Sequence, residues 1–377
     1  MSEQQRAKIL CVVGARPNFM KIAPVMAALN ASPRLMPYLV HTGQHYDIAM
    51  KHAFFDQLSI PEPDEDLGVG SASHAIQTAE IMRRFEPVLD REQPAMVLVV
   101  GDVNSTIACA LVATKKSVPV VHVEAGLRSG DRAMPEEVNR VLTDQISDLL
   151  FTTEREAESN LQREGIDGGR VHFVGNVMID TLRAQLGQKV PAGETFSNVG
   201  AGAGFQSSTY GLLTLHRPSN VDEPAVLERL LTTLAGLSEQ LPLVFPMHPR
   251  TQGKIREAGL GGLLDNPNIL TMPPQGYLQM LGLMAEAKLV LTDSGGIQEE
   301  TTALGVPCLT LRENTERPIT VEHGTNTIVG TDPLRIRTAF DEVMSGGGKA
   351  GRVPELWDGR AAERIVTVLE SWLAERR

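Results

Sequence analysis

The sequence predicts an α/β protein built from two doubly wound, Rossmann-like domains with parallel sheets. Short apolar runs rich in Val, Ile and Leu alternate with longer amphipathic stretches along the 377 residues. Within the apolar runs there is no in–out alternation, which is typical of parallel strands buried on both faces. The pattern breaks once near the middle of the chain and then restarts, so we expect two domains of ordinary size.

The first half of the chain has the pattern of one complete parallel-sheet domain. Strands are predicted at residues 8–13, 39–42, 95–100, 119–123, 149–151 and 171–174. Helical periodicity is clearest at residues 74–89, 104–116 and 136–146. Because strands that alternate with amphipathic helices form parallel sheets, we assign residues 1–178 to the first domain.

The second half repeats this pattern after a break. Residues 191–208 are rich in Gly, Ser and Ala and show little periodicity, which indicates a linker or a mobile loop. Strands are then predicted at residues 210–215, 243–247, 268–271, 288–292 and 307–311. We assign residues 179–358 to a second domain, and the amphipathic pattern of residues 359–377 predicts a final helix.

The net charge, the apolar runs and the cysteines limit which ligands the protein binds and where in the cell it is expected. The formal net charge of −11 argues against nucleic acid or an anionic membrane as a partner, although a local basic pocket can still hold a small anion. No apolar run has the length or flanks of a membrane span or a signal peptide, so we expect a cytoplasmic protein. Cys11, Cys109 and Cys308 lack metal-like spacing, and we predict buried, reduced thiols.

Charged residues follow the predicted strands in both halves of the chain. In open parallel sheets, ligands bind beyond the carboxyl ends of the strands. The charged residues at these places include Arg16, Lys21, Asp102, Glu124, Glu136, His216, Arg217, His248 and Arg250. Most of the signals also have a structural interpretation, since Asp102 can cap a helix and Glu136 suits a first helical turn after Pro135. Glu124 is the exception, because a carboxylate at the end of a buried strand is costly without a partner or a wet cleft. Their clustering in both halves favours a binding site.

The stretch DSGGIQEE at residues 293–300 follows a predicted strand directly. Glycines at a strand-to-helix turn let a ligand approach the backbone, and they leave the first N–H groups of the helix available to donate. A phosphate suits that position, with Ser294 adding a hydroxyl and Glu299 or Glu300 available to ribose hydroxyls. An ordinary tight turn capped by Asp293 or Ser294 explains the same pattern equally well.

Several motifs that would indicate other chemistry are absent from the sequence. There is no dinucleotide-binding fingerprint, no Walker A loop, no GxSxG motif and no metal-type cluster of His and Cys. Redox chemistry with a nicotinamide is therefore disfavoured, and we expect neither a cofactor nor a metal.

Over nearly its full length, the sequence resembles the non-hydrolysing UDP-N-acetylglucosamine 2-epimerases. The matching stretches, in order, are GARPNFMKIAPV, HTGQHYD, GDVNST, HVEAGLRS, PEEVNR, TLHRPSN, LTDSGGIQEETTALGVPCLTLRENTERP and EHGTN. The resemblance implies the glycosyltransferase-B type fold, in which two Rossmann-like domains face each other across a cleft. It also implies that the last helix, residues 359–377, packs back on the N-terminal domain. We further expect a homodimer.

The resemblance implies a role for each candidate residue. Those matching the family's pyrophosphate-binding residues are Ser294, Gly295 and Gly296. Those matching residues that serve the phosphates or the sugar are Arg16, Lys21, His216 and Arg317. Glu300 matches the residue that holds the ribose, and Gln275 matches one at the uracil. The residues matched to acid–base chemistry around the sugar ring are Asp102, Glu124 and Glu136, and we include His216 in the catalytic set.

The implied reaction is the reversible epimerisation of UDP-N-acetylglucosamine to UDP-N-acetylmannosamine. C2 has no adjacent carbonyl group to acidify its proton, and the family instead eliminates UDP from C1 together with that proton. The resulting 2-acetamidoglucal takes UDP back with protonation from the other face. We expect UDP-N-acetylglucosamine and UDP as ligands and a product that feeds cell-surface polysaccharide synthesis. Which carboxylate takes the proton stays open.

The chain departs from the family's pattern at two places. Met280 stands where many relatives have a Phe against the uracil, but Met can also cover a ring, so we expect nucleotide binding to survive. Some bacterial members need UDP-N-acetylglucosamine at a second site, built from the Gln of the TGQH motif, an Arg-Gln-Thr run further along the chain and basic residues of the second domain. This chain keeps Gln44, Arg217 and His248 at the matching positions. Residues 68–80 of this chain read GVGSASHAIQTAE, without that run, so we predict weak or no activation by substrate.

Three other functions fit parts of the pattern. A glycosyltransferase of the same fold would need an acceptor groove, and a hydrolysing epimerase would differ in releasing the free sugar. A catalytically silent nucleotide-sugar sensor would need none of Asp102, Glu124 and Glu136, so their joint presence favours an enzyme. The two-domain layout, with its break at residues 191–208, also predicts that UDP draws the domains together.

Overall fold

The computed structural model describes residues 6–44, 58, 60–200, 205–346 and 348–376. The chain forms two compact units, one from Met1–Ala184 with Glu355–Arg377 and the other from Gln185–Pro354. We call them the N-terminal and C-terminal domains. Within the described ranges, every helix is too short or too polar to cross a membrane.

The N-terminal domain is built on a parallel sheet. Its strands are β1 (Ala7–Val13), β2 (Leu35–His41), β3 (Glu65–Asp66), β4 (Met96–Val100), β5 (Val120–Ala125), β6 (Leu149–Thr152) and β7 (Val171–Phe173). In the described part of the chain their order is β3-β2-β1-β4-β5-β6-β7, and each neighbouring pair is parallel. The strand order reverses between β1 and β4, which is where ligands bind in such sheets.

Helices cover the sheet of the N-terminal domain. They are α1 (Arg16–Ala31), α2 (His74–Glu92), α3 (Asn104–Lys115), α4 (Pro135–Ile146), α5 (Arg155–Arg163) and α6 (Val177–Gln185). On α2, Ile81, Phe85 and Val88 share one face at a spacing of three to four residues, as core-facing helical residues do. They pack in one buried cluster with Leu10 of β1 and Val97 of β4.

The C-terminal domain repeats this plan. Its strands are β8 (Gly211–Thr214), β9 (Leu243–Pro246), β10 (Ile269–Met272), β11 (Leu289–Thr292), β12 (Cys308–Thr310) and β13 (Asn326–Ile328). Among the described residues their order is β10-β9-β8-β11-β12-β13, again all parallel, with the reversal between β8 and β11. Its helices are α7 (Ala192–Asn198), α8 (Pro218–Val221), α9 (Pro224–Ser238), α10 (Pro249–Glu257), α11 (Tyr277–Ala285), α12 (Gly295–Leu304), α13 (Pro318–Glu322) and α14 (Pro333–Met344).

The final helix, α15 (Ala361–Glu375), belongs to the N-terminal domain. The carboxylate of Asp180 accepts from the backbone N–H groups of Ala361 and Ala362 at 3.1 and 2.8 Å, so it satisfies donors that a helix start would otherwise leave unpaired. Just before the helix, the indole of the buried Trp357 donates to the carbonyl oxygen of Thr153 at 3.1 Å. These bonds fasten the last segment to its domain.

The fold class predicted from the sequence is confirmed, since both domains contain parallel sheets with helices between the strands. The three cysteines are buried and unpaired, as predicted. The interpretation of residues 191–208 as a linker or loop is wrong for the part that forms α7, where Phe196 is buried with its ring edge-on to that of Tyr210. Seven residues are too few to show helical periodicity. Residues 201–204 lie outside the described part.

Candidate active site

The turn between β11 and α12 is not an ordinary capped turn. Ser294 is the N-cap residue, but its side chain makes no capping hydrogen bond. Asp293 is fully buried and faces away from α12, because its carboxylate accepts from the backbone N–H groups of His216 and Arg217, each at 2.9 Å. The first N–H groups of α12 are therefore not satisfied by either side chain, and such a helix start favours an anion.

Asp293 also orients the ring of His216 at the reversal point between β8 and β11. His216 Nδ1 lies 3.0 Å from Asp293 Oδ1. Burial alone would raise the pKa of Asp293, but the hydrogen bonds from the His216 ring and from the two backbone N–H groups bring that pKa below its usual value. The carboxylate therefore holds a proton on Nδ1 and leaves Nε2 as the ring atom that can act on a ligand.

A buried carboxylate, Glu316, lies over the first residue of α12. One Glu316 oxygen lies 2.9 Å from Arg312 and the other 3.5 Å from Arg217. Burial raises the pKa of Glu316, but the guanidinium groups of Arg317, Arg312 and Arg217 outweigh it and lower that pKa to about 2. A Cβ atom at Gly295 would lie 2.7 Å from Glu316 Oε1, so this carboxylate is a second reason for glycine there, besides ligand access.

The two glutamates of DSGGIQEE have different partners. Glu299 Oε1 lies 2.9 Å from Arg317 Nε, so this carboxylate is held in an ion pair. Glu300 accepts a hydrogen bond from the hydroxyl of Tyr277 at 3.0 Å and is buried. Burial raises the pKa of Glu300 to about 7, and the bond from Tyr277 opposes that rise only in part. Of the two carboxylates, Glu299 is paired with an arginine, whereas Glu300 is bonded to a neutral hydroxyl.

The residues matched to the uracil lie at and before α11. The side-chain amide of Gln275 donates to the carbonyl oxygen of Pro273 at 2.8 Å, which fixes it in the loop before the helix. Met280 is half-buried on α11 itself. Because α11 begins with Tyr277, the partner of Glu300, this helix carries Met280 and also contacts the residue matched to the ribose, while Gln275 lies just before it.

In the N-terminal domain, Glu124 occupies a strained position at the end of β5. Its φ of +73° is in the left-handed region that residues other than glycine rarely adopt. The pairing of β5 with β6 is irregular between Val123 and Ala125, which accommodates this conformation. Lys21 of α1 forms a buried ion pair with the Glu124 carboxylate. Lys21 is therefore engaged within this domain, whereas the resemblance matched it to phosphate or sugar binding.

Asp102, after β4, is held by helix α4. Its carboxylate lies 2.7 Å from Arg140, and its carbonyl oxygen accepts from the Asn139 amide at 2.9 Å. Arg140 also lies 3.1 Å from Glu137, which accepts from two backbone N–H groups of the loop before α4. Helix α3 begins after Val103 without a side-chain cap. The N-cap residue of α3 is therefore Val103 rather than Asp102.

The other two N-terminal candidates lie at helix starts. Glu136 is half-buried in the first turn of α4, the helix that holds Asp102. Arg16 begins α1, but its side chain lies outside the described part of the structure. The structure thus brings Asp102 and Glu124 to the carboxyl ends of the strands in the N-terminal sheet. It brings His216 and the start of α12 to the carboxyl ends of the strands in the C-terminal sheet.

Sequence reasoning missed residues that hold these groups in place. The amide oxygen of Asn18 accepts from the backbone N–H of Ala15 at 3.0 Å, and its amide nitrogen donates to the carbonyl oxygen of Val100 at 3.0 Å. It therefore links the ends of β1 and β4 at the reversal point. Glu316 and Glu137 were missed as well. The only sequence signal for these residues is that each lies within a stretch already matched to the family.

The two Rossmann-like parallel sheets, with charged groups where their strand order reverses, place the chain among the two-domain α/β proteins that bind ligands at the strand ends. The family model for UDP-N-acetylglucosamine 2-epimerase matches residues 27–370. The chain belongs to the UDP-N-acetylglucosamine 2-epimerase family, whose members are isomerases.

Individual relatives extend over the whole chain. A UDP-N-acetylglucosamine 2-epimerase of Methanocaldococcus jannaschii is 42% identical over 96% of this chain and 98% of its own length. A UDP-2,3-diacetamido-2,3-dideoxy-D-glucuronate 2-epimerase of Pseudomonas aeruginosa is 41% identical over 96% and 99%. The crystal structure of the M. jannaschii enzyme with UDP-GlcNAc and UDP has a TM-score of 0.86 at 40% identity, covering 97% of this chain and 99% of that one.

Proposed function

We propose that this protein is a non-hydrolysing epimerase that interconverts UDP-N-acetylglucosamine and UDP-N-acetylmannosamine. The observation that carries the proposal is the start of α12, where Ser294 and Asp293 leave the first N–H groups without a side-chain cap beside the Asp293–His216 pair. A reaction that releases a diphosphate needs such an anion site. The similarity to a solved relative with UDP-GlcNAc and UDP bound supports the same ligands here.

The chemistry we propose is elimination followed by re-addition. A base removes the proton from C2, the bond from C1 to the UDP oxygen breaks, and its electrons leave with UDP as a C1–C2 double bond forms. UDP oxygen then attacks C1 of this 2-acetamidoglucal while an acid delivers a proton to the other face of C2. The sum is an isomerisation, because UDP adds back and one proton is delivered to C2 for the one removed.

We assign the carboxylates of the N-terminal domain to the proton transfers. Asp102 and Glu124 lie at the ends of adjacent strands and are each fixed by an ion pair, with Arg140 and Lys21 respectively. Such fixed carboxylates suit general acid–base catalysis. Glu136 and His216 complete the proposed catalytic set, and which of these groups removes the proton stays open.

We assign the C-terminal domain to the nucleotide. Ser294, Gly295 and Gly296 at the start of α12 are proposed to hold the diphosphate, with Arg16 and Arg317 adding positive charge. Glu300 is proposed to accept from the ribose hydroxyls. Gln275 and Met280 are proposed to contact the uracil. The homodimer and the cytoplasmic location remain predictions, as does the delivery of the product to cell-surface polysaccharide synthesis.

A second substrate has equal support from sequence similarity. The P. aeruginosa relative is named for UDP-2,3-diacetamido-2,3-dideoxy-D-glucuronate, and it is as similar to this chain as the M. jannaschii relative is. Both sugars carry an acetamido group at C2, so the same elimination serves either one. They differ at C3 and C6, where the glucuronate adds an acetamido group and a carboxylate.

The test is to supply each sugar nucleotide separately and to separate the products by anion-exchange chromatography. We expect UDP-N-acetylglucosamine to give UDP-N-acetylmannosamine until equilibrium is reached, with a kcat/KM at least about tenfold above that for the glucuronate. Accumulation of UDP and free sugar would instead show a hydrolysing enzyme. Preference for the glucuronate would retain the C2 chemistry and replace the proposed substrate.

A further inference from the structure

A fully buried histidine–aspartate pair lies beneath the candidate carboxylates of the N-terminal domain. His122 on β5 and Asp144 on α4 are both inaccessible to solvent, and His122 Nδ1 lies 2.7 Å from Asp144 Oδ1. On the other side of the ring, His122 Nε2 lies 2.8 Å from the carbonyl oxygen of Gly101. The second Asp144 oxygen accepts from the backbone N–H of Gly126 at 3.1 Å and lies 2.8 Å from Arg128.

The pair and its backbone partners belong to the three segments that carry the candidate carboxylates. Gly101 is the residue before Asp102, and Gly126 is two residues after Glu124. Asp144 itself belongs to α4, whose first turn carries Glu136. The His122–Asp144 pair and its two backbone hydrogen bonds therefore connect three segments: the end of β4, the end of β5 and α4, whose first turn carries Glu136.

The pair also accounts for the unusual backbone at Glu124. A non-glycine residue with φ of +73° persists only where its surroundings determine the conformation. His122 anchors the chain two residues before Glu124, and Asp144 anchors it two residues after, at Gly126. Glu124 is thus held between two points fixed by the same hydrogen-bonded pair.

The protons on this pair follow from its partners. A carbonyl oxygen can only accept, so the contact with Gly101 places a hydrogen on His122 Nε2. Nδ1 faces a carboxylate that already accepts from Gly126 and Arg128, so a proton also lies between His122 and Asp144. Such charge-assisted bonds are short and directional, and they fix geometry more firmly than neutral ones.

We propose that His122 and Asp144 are positioning residues that hold Glu124 and Asp102 in the arrangement needed for proton transfer at C2. The inference rests on the proposed epimerisation, since it gives those two carboxylates their roles. Neither His122 nor Asp144 reaches the surface of the domain, so they act through the backbone at Gly101 and Gly126 rather than on substrate. Loss of the pair lets Glu124 relax, while the residues proposed to hold UDP in the C-terminal domain are untouched.

The test compares His122→Asn, His122→Gln and Asp144→Asn with a matched control, His172→Asn. The amide of Asn reaches the place of Nδ1 and that of Gln the place of Nε2, so each His122 variant retains one of the two contacts. His172 lies on β7 of the same sheet and is partly exposed. We expect kcat to fall roughly 10- to 100-fold in the first three variants, with KM for UDP-N-acetylglucosamine and Kd for UDP within about twofold of wild type and the control unchanged.

The possible results separate this inference from the proposed function. A wild-type protein without epimerase activity would refute the proposed function and leave these residues with no such role. An active wild type with Asp144→Asn and both His122 variants at full kcat would refute the positioning role. So would a parallel loss of kcat and UDP affinity, which would show a general structural role. If a His122 variant does not fold, Asp144→Asn, which replaces one carboxylate oxygen by an NH2 group, decides the question.

Discussion

At the scale of single residues, Glu300, the residue proposed to hold the ribose, is a buried carboxylate whose charge changes near neutral pH. Its pKa is raised to about 7 by burial, and the neighbouring Glu299 acts in the same direction while Tyr277 opposes it. The charged form of Glu300 therefore appears only as the pH rises through about 7. A charged carboxylate accepts from two ribose hydroxyls, whereas a protonated one has lost part of its accepting capacity.

We predict that UDP binds more tightly as the pH rises from 6 to 8, by up to about tenfold, because the charged fraction of Glu300 rises about tenfold over that interval. Titration calorimetry at several pH values measures this. The terminal phosphate of UDP also ionises near pH 6, so Glu300→Gln provides the control that isolates the carboxylate. Parallel pH profiles for wild type and Glu300→Gln would show that Glu300 does not govern binding.

The proposed acid–base residues make a second prediction at this scale. Asp102→Asn, Glu124→Gln and Glu136→Gln retain shape and remove charge, and each should lower kcat by roughly 100-fold or more, as the loss of a general acid or base does. UDP affinity should be retained. Glu80→Gln serves as a control, since Glu80 pairs with Arg83 on the exposed face of α2. Full activity in all three site variants would refute the proposed proton transfers.

At the scale of elements, two helical glycines differ in what surrounds them. A Cβ atom at Gly282 on α11 would lie 1.7 Å from the carbonyl oxygen of Val190, a backbone atom that cannot move aside as a side chain can. A Cβ at Gly253 on α10 would have no neighbour within 4 Å. Helix α11 thus packs against the chain near Val190 so closely that only glycine fits.

We predict opposite effects of the same substitution at these two positions. Gly282→Ala should destabilise the C-terminal domain by about 1–3 kcal/mol through overpacking. Gly253→Ala should stabilise it by about 0.5–1 kcal/mol, because alanine loses less backbone entropy than glycine in a helix. Urea unfolding midpoints of the two variants measure the difference. A Gly282→Ala protein as stable as wild type would mean that α11 is not packed this closely.

Elements with a strong local signal were predictable from the sequence, and those without one were not. The strands with continuous apolar runs, such as β4 and β11, were predicted to within a residue. The two-residue β3 and the three-residue β13 are too short to show periodicity. Helix α7 has only seven residues, and the contact of Phe196 with Tyr210 that packs it cannot be read from the sequence pattern. In the candidate site, strand ends identified the charged residues, but their partners come from distant parts of the chain, as Lys21 and Glu124 show.

At the scale of the whole molecule, two buried glutamines lie where a second substrate would bind in regulated relatives. Gln44 matches the glutamine of the TGQH motif, and Gln77 belongs to residues 68–80, the segment that lacks the Arg-Gln-Thr run; both are engaged in the N-terminal domain. The side-chain oxygen of Gln44 accepts from the backbone N–H and the hydroxyl of Ser105 at 3.1 and 2.7 Å. The amide of Gln77 donates to the carbonyl oxygens of Gln44 and Gly70 at 3.1 and 2.9 Å. Both residues are buried, so binding a second diphosphate through them would break existing bonds.

We therefore predict weak or no activation by substrate. Starting from pure UDP-N-acetylmannosamine, conversion should begin at once and proceed linearly, because no second ligand is required. A coupled assay that detects UDP-N-acetylglucosamine formation from the first seconds measures this. A long lag that a trace of UDP-N-acetylglucosamine abolishes would show that a second site operates through other residues.

The central claim, epimerisation at C2 by elimination and re-addition of UDP, is tested most directly by proton NMR in heavy water. The purified protein is mixed with UDP-N-acetylglucosamine, and the signals of both anomeric protons and of the C2 proton are followed. We predict that UDP-N-acetylmannosamine appears, that deuterium replaces the proton at C2, and that no free sugar accumulates. An epimer that retains its C2 proton, or no epimer at all from a folded protein, would contradict the account.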